Sequence, residues 1–384
     1  MIIDADTHLD EFDELWSEYS PSKNRELALT VTYDKGGYAW LNFQGRPLMM
    51  MDRFLPGDFE RAGRERAMWR AGDDIAPELR REERPPDYSD AAQRIARMDE
   101  WGIDRSVMYP NFGFIWEAIL YEDLDATRVN CAAWNRWAAD LTREHKGRVM
   151  PVGHLVVQGS TDWVESQLKL LAGAGVRQAM FSPGLINGQR MSHPDNDRLW
   201  SLFVQYGITP AWHIDGRSFT AFADHDAWTS NDRDSRVRLL PLLFSNVIPQ
   251  MGLADLAANG VFERFPELRV VVAEIGANWF PELMRRIDNL WTMVDQVHGR
   301  PLNDLPKKPS EYLRERTLVT CSFSADASSD LVAKYPGSFA FGTDYPHPEG
   351  LAGGVREYES RMGALPDDHR GLFYGGNIGS VLAG

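Results

Sequence analysis

The chain has 384 residues, 43% of them apolar, enough to bury a large core as one barrel-sized domain or as two smaller ones. Its 56 Asp and Glu against 41 Lys and Arg leave a formal charge of −15 with no basic run, which argues against a nucleic-acid partner because phosphate binding needs a concentrated basic surface. No window approaches the roughly 18 to 20 continuous apolar residues of a membrane span, no secretory leader is read, and Cys131 and Cys321 give no disulfide framework, so a cytoplasmic protein with no membrane partner is expected.

In chain order, Ile2 to Ala5 reads as a strand running directly into Asp6, His8, Asp10 and Glu11. Side chains alternate along a strand, so Asp4, Asp6 and His8 are expected on one face, with Ile3, Ala5 and Thr7 on the other. Glu11 is expected to fold back over the same place. Taken alone, the stretch reads more readily as a surface strand with solvated acids. Residues 12–88 then form a mixed-charge insertion, with an aromatic run from Tyr33 to Phe43, a hairpin expected at Gly36-Gly37 and an Arg/Glu-rich stretch from Glu60 to Arg84. A structureless loop of that length would be unusual, so the insertion is expected to act as a lid across the domain mouth or as a contact with a neighbouring subunit in a homo-oligomer.

Regular alternation begins at Tyr88. Ser89 or Asp90 can cap a helix that Gly102 stops. Arg105 to Tyr109 is a predicted strand, Ala126 to Glu144 a helix, Val149 to Val157 a strand, Trp163 to Ala174 a helix, Arg177 to Phe181 a strand, Arg198 to Tyr206 a helix and Ile208 to His213 a strand. Helical segments fill about 237–262, broken at Pro241 and Pro249. Leu268 to Glu274, Thr317 to Cys321 and Ser338 to Gly342 complete the strands, with helices at Trp279 to Val297 and Ser328 to Lys334. Eight short apolar strands alternating with helices predict an α/β fold, a (β/α)8 TIM barrel with a long insertion after the first strand, spanning 1–384 as one domain. No glycine-rich nucleotide fingerprint follows an early strand, against a Rossmann fold.

Barrel enzymes carry their chemistry at the C-terminal strand ends. Those positions hold Asp6, His8 and Glu11, then Asn111, His154, Ser182, His213, Glu274, Ser322, and finally Asp344 with His347. Each has a plainer account alone: His213 and His154 as hydrogen-bonded core histidines, Asp344 as a turn cap. Glu274 is the hardest to dismiss, because a carboxylate closing the apolar run Val270 to Ala273 is costly to bury unless paired or metal-bound.

The Asp4-Ala5-Asp6-Thr7-His8 start, the Val271 to Pro281 stretch, the Phe-Gly-Thr-Asp-Tyr-Pro-His-Pro-Glu-Gly run at Phe341 to Gly350 and the closing Gly375-Gly376-Asn377-Ile378 together resemble the amidohydrolase superfamily. More narrowly they resemble its amidohydrolase-related branch of aromatic-acid decarboxylases, lactonases and hydratases. The resemblance implies a divalent metal bound by Asp6, His8, His213 and Asp344. Two departures stand out. The usual His-x-His is here Asp6-x-His8, and Glu274 stands where decarboxylases of the branch carry a strand-six histidine. No lysine ends strand four, where dinuclear relatives carry a bridging carbamate.

By donor chemistry alone, Asp6, His8, Glu11, His213, Glu274, Asp344 and His347 offer more ligands than one tetrahedral zinc uses. So carboxylate-rich a set suits two hard ions, iron above all, with zinc or manganese as alternatives, and resembles the small di-iron oxygenase branch of the superfamily. Three functions are therefore carried forward. The first is a dinuclear non-haem iron monooxygenase acting on a small apolar or carboxylated cyclic substrate and needing an electron donor. The second is a metal-dependent hydrolase of an ester, lactone or amide, and the third a non-oxidative aromatic-acid decarboxylase. In each, Glu274, Asp344 and His154 are the catalytic candidates. Asn111, Ser182 and Arg217 are the substrate-binding candidates, with Arg105 a further anion partner by family analogy.

Overall fold

The computed structural model describes residues 1–35, 38–51, 85–217, 243–301, 303–322, 328–347, 350–351, 353–363 and 365–383. The hairpin turn expected at Gly36-Gly37, the polar stretch from Glu60 to Arg84 and the break at Pro241 lie outside them.

Parallel strands run in the order Ile3–Leu9, Arg105–Pro110, Val149–Pro151 continued by Gly153–His154, Gln178–Met180, Thr209–His213, Val270–Ala273, Thr317–Cys321 and Phe339–Phe341. Each pairs with its neighbours in sequence. The ring closes where the last strand returns to the first: Asp344 N–H donates to Asp6 O at 2.8 Å and His8 N–H to Tyr345 O at 2.8 Å. The result is the expected eight-stranded TIM barrel. The boundaries follow local chemistry: Asp90 caps the Ala91–Trp101 helix by accepting from Ala92 and Gln93 N–H, and Gly102 ends it in the left-handed region that glycine enters without strain.

The core has two shells. Leu, Ile, Val and aromatic side chains fill the space between strands and helices. Inside the barrel sit Ile3, Ala5, Val107, Val152, Met180, Ala211, Val271, Ala273, Leu318 and Ala340, floored by Ile378 and Val381 of the C-terminal Asn377–Leu382 helix. The many small inner residues leave room for polar groups above them.

Three departures from expectation matter. Pro249 does not break a helix but occupies the first turn of Val247–Ala258, where a backbone N–H has no intrahelical partner to lose. A helix missed in the sequence, Gly113–Leu120, follows the second strand. And the described part of the insertion includes a three-stranded antiparallel sheet, Thr30–Tyr33, Ala39–Phe43 and Arg46–Met50. The chain just before that sheet is tied to the long Leu124–His145 helix: Leu29 N–H donates to Asn130 Oδ1 at 2.9 Å and Arg136 Nη1 to Tyr19 O at 2.6 Å.

Candidate metal centre

The first strand does not alternate evenly. Its pairing with Arg105–Pro110 shifts register between Asp4 and Thr7, a bulge that lets Ala5 point into the barrel while Asp6 also reaches the interior. Asp4 is consequently not with Asp6 and His8, as even alternation predicted. It accepts from Thr343 Oγ1 at 2.6 Å and Thr343 N–H at 3.0 Å, binding the last strand to the first, and burial pushes its pKa up to about 7 despite those bonds.

Six of the predicted groups converge at the C-terminal rim. His8 Nε2 lies 3.1 Å from Asp344 Oδ1, 3.5 Å from Glu274 Oε2 and 4.0 Å from Asp6 Oδ1. His213 Nε2 lies 3.1 Å from Glu274 Oε2 and 3.4 Å from Asp6 Oδ1. His347 Nδ1 sits 2.8 Å from Asp344 Oδ1.

Each is aimed from behind. His8 Nδ1 faces Pro110 O at 3.3 Å and His213 Nδ1 faces Ile214 O at 3.0 Å. A carbonyl only accepts, so both Nδ1 atoms carry the proton and both Nε2 lone pairs point inward. His347 Nε2 donates to Asn111 Oδ1 at 2.7 Å, turning its Nδ1 inward in the same way. Asp6 Oδ2 accepts from Ser322 Oγ and from Thr320 Oγ1 at 3.0 Å, which leaves Oδ1 to the centre. Glu274 and Asp344 both hold φ above zero, +55° and +57°, conformations that non-glycine residues adopt at some cost and that recur at functional sites. Gly342 permits the approach, since a Cβ there would lie 2.8 Å from Asp6 Cβ.

Lone pairs therefore face carboxylates in a buried pocket. Asp6 Oδ1, His8 Nε2, His213 Nε2, Glu274 Oε2 and Asp344 Oδ2 are all buried with no hydrogen-bond partner among the described residues. Leaving one such atom unpaired costs ~1–3 kcal/mol, more if charged, so a cluster of them is improbable without a cation to satisfy it. Two overlapping groups have ligand-capable atoms within 4.8 Å of one another: His8, Glu274, Asp344 and His347, and Asp6, His8 and His213. The donor set fits a divalent ion. Without it the electrostatics are tense. Burial and the Asp344 charge drive the Glu274 pKa well up, and burial and His347 drive His8 down; burial also works on Asp344, but the neighbouring His347 and His8 outweigh it and hold that carboxyl low.

The remaining predicted residues lie elsewhere. Glu11 does not join the cluster: its Oε2 accepts from Asn111 N–H at 3.0 Å and Phe112 N–H at 2.9 Å, anchoring the start of the Gly113–Leu120 helix, and burial raises its pKa to about 8. His154 is bonded through Nε2 to Glu117 at 2.7 Å, and Ser182 Oγ donates to the other Glu117 oxygen at 3.4 Å. Asn111 stands behind His347, its amide also donating to Asp10. Arg217 lies over the Tyr121 ring, 3.4 Å from its centroid. Arg105 opens the second strand and so sits at the opposite, N-terminal face of the barrel from the cluster.

Two residues missed in the sequence shape the site. Phe114 stacks on the His213 ring at 4.2 Å between centroids, roofing the cluster, and Glu117, one helical turn on, is the buried partner of His154. The run Gly113 to Leu120 is apolar on nearly every side, so it shows no helical period to read.

A family model described as amidohydrolase matches residues 3–378. Among solved structures, an amidohydrolase from Mycobacterium avium subsp. paratuberculosis is 20% identical, covering 99% of this chain and 97% of its own, with a TM-score of 0.80. A 5-carboxyvanillate decarboxylase from Novosphingobium aromaticivorans, solved with bound manganese, is 16% identical over 100% of this chain and 97% of its own at a TM-score of 0.65. A 2,6-dihydroxybenzoate decarboxylase from Rhizobium is 14% identical over 100% and 98% at 0.60. At these identities the likeness is one of fold. No curated protein matches the chain. No described helix is long and apolar enough to cross a membrane.

Proposed function

Because the chain belongs to the amidohydrolase family, we propose that it is a metal-dependent hydrolase of an ester, lactone or amide in a small cyclic or carboxylated substrate. The convergence of partnerless buried donor atoms around His8 Nε2 carries this reading. Asp6, His8, His213 and Asp344 would hold one divalent ion; a single ion is favoured because both ligand groups share His8. Manganese or zinc suits two carboxylates with two imidazoles, and the manganese of the Novosphingobium neighbour agrees. Such an ion lowers the pKa of water to around 7 and polarises a carbonyl.

The protein supplies the rest. Glu274, 3.1 Å from His213 Nε2, takes the proton of the attacking water and returns it to the leaving oxygen or nitrogen. Asn111 fixes His347, and Phe114 keeps bulk water from the His213 side. A dinuclear iron monooxygenase would have used Glu11 as its added ligand; with Glu11 held by the helix start, iron and an electron donor lose the residue that favoured them.

Non-oxidative decarboxylation is the second reading, favoured by the decarboxylase neighbours. Residues 12–88 serve in either case as the lid or subunit contact of a single domain. A homo-oligomer would cover the exposed Leu290, Met293 and Val297 stripe of the Trp279–His298 helix.

Isotope labelling separates the two. Panels of lactones, esters and aromatic acids are turned over by manganese-loaded protein in H2¹⁸O and in D2O. Hydrolysis places ¹⁸O in the product carboxylate; decarboxylation places deuterium on ring carbon and releases carbon dioxide. Turnover by metal-free protein at the same rate would overturn both.

A further inference from the structure

The seventh strand turns two hydroxyl groups onto a single carboxylate. Leu318 belongs to the inner shell while Val319 and Cys321 pack outward, so Thr320 and Ser322 continue the inward face of Thr317–Cys321 to its end and just past it. Thr320 is buried, and so is Ser322. Thr320 Oγ1 lies 3.0 Å from Asp6 Oδ2, Ser322 Oγ donates to the same oxygen, and the two hydroxyl oxygens stand 3.1 Å apart. Each hydroxyl has one hydrogen, and the carboxylate is the strongest acceptor in reach, so both hydrogens point at Oδ2. Thr320 Oγ1 in turn receives Glu274 N–H at 3.3 Å, which extends the chain to the backbone of the sixth strand's end.

This pair discriminates between ligand chemistries at position 6. With two hydrogens on Oδ2, Asp6 presents Oδ1, its one side-chain oxygen without a hydrogen-bond partner among the described residues. The residue therefore offers one anionic oxygen rather than a bidentate grip that would take two places around an ion. An imidazole at the same position would bring the hydroxyls one N–H and no acceptor, leaving at least one hydroxyl hydrogen misdirected. The hydroxyl pair thus matches an oxygen ligand. Zinc takes about four donors, imidazole nitrogen prominent among them, whereas manganese favours about six, mostly oxygen. An oxygen held in place should matter more to manganese than to zinc.

We propose that Thr320 and Ser322 are positioning residues that set the metal preference of the centre. They hold Asp6 as a one-oxygen anionic ligand and so bias the site toward manganese relative to zinc. The inference rests on the reading of Asp6 as a metal ligand, and it is the same for hydrolysis and for decarboxylation.

The test is chelator competition on full-length protein loaded with manganese and, separately, with zinc, the bound ion being counted by mass spectrometry. Ser322→Ala and Thr320→Val should each lower manganese affinity ~10- to 100-fold, the usual loss when a group behind a ligand is removed. Zinc affinity should fall less, so the manganese-to-zinc ratio drops. Thr320→Ser keeps the hydroxyl and should keep the wild-type ratio. A general loosening of the fold would lower both affinities alike and would not be rescued by serine. Equal losses for the two ions overturn the proposal, as do affinities unmoved in Ser322→Ala and Thr320→Val, or a Thr320→Ser variant as weak as Thr320→Val. Wild-type protein that takes up neither ion overturns the metal reading of the centre and this inference with it.

Discussion

Replacing Glu11 decides how many ions the centre holds. Its Oε2 receives two backbone N–H groups, from Asn111 at 3.0 Å and Phe112 at 2.9 Å, and none of its atoms belongs to the convergent ligand groups. Glu11→Gln keeps an acceptor oxygen of the same shape, and a carboxyl with pKa about 8 is already largely neutral at pH 7, so the cost should stay within ~1 kcal/mol. Glu11→Ala strands both N–H groups at ~1–3 kcal/mol each, or roughly 2–6 kcal/mol in all. An unfolding entropy of ~2.1 cal/mol/K per residue over 384 residues is about 0.8 kcal/mol/K, so Tm should fall by roughly 2–8 °C in the alanine variant and about 1 °C in the glutamine variant. The assay pairs differential scanning calorimetry with metal analysis by mass spectrometry after reconstitution. Metal per chain should match wild type in Glu11→Gln. Loss of one equivalent from a wild type that holds two would refute the placement of Glu11 and restore a dinuclear centre.

Glu274→Gln should keep the metal and lower kcat about 10²- to 10⁴-fold, the usual worth of a general acid or base; loss of metal would make Glu274 a ligand instead. Gly342→Ala should weaken metal affinity about tenfold or more in chelator competition, because the new Cβ would lie 2.8 Å from Asp6 Cβ; unchanged affinity would mean that Asp6 is not held where the structure has it. For pH, Asp4 is raised by burial from 3.8 to about 7, so the folded chain keeps a proton that the unfolded chain has released. The stability tied to that proton is therefore full below about pH 4 and falls as pH rises to 7, by at most about 4 kcal/mol for three pKa units. Asp4→Asn should flatten the fall of Tm between pH 5 and 7.5, and an unaltered slope would count against a buried, neutral Asp4.

Much of the barrel was legible because its signals are local. The Thr317–Cys321 strand is found at its predicted residues, and the caps at Asp90 and Gly102 end their helix as expected, since apolar period and capping chemistry act over a few residues. The same rule of strand ends picked out Asp6, His8, His213, Glu274, Asp344 and His347, whereas Arg105, carried forward by family analogy as an anion partner, stands at the start of its strand and away from them.

Tertiary structure decided where the remaining groups went. Even alternation put Asp4 with Asp6, but a bulge set by pairing with a strand about 100 residues away separates them. Glu11 has the same composition-level appeal as Glu274, yet its partners are two N–H groups on a helix whose all-round apolar sequence hides its existence. His154 became half of a buried pair only because that helix brings Glu117 to it. Sequence by itself determined which side chains arrive at the rim, since strand period and strand direction are properties of neighbouring residues. Which of them share a centre depends on register and on helix placement, and those are settled by packing between segments far apart in the chain.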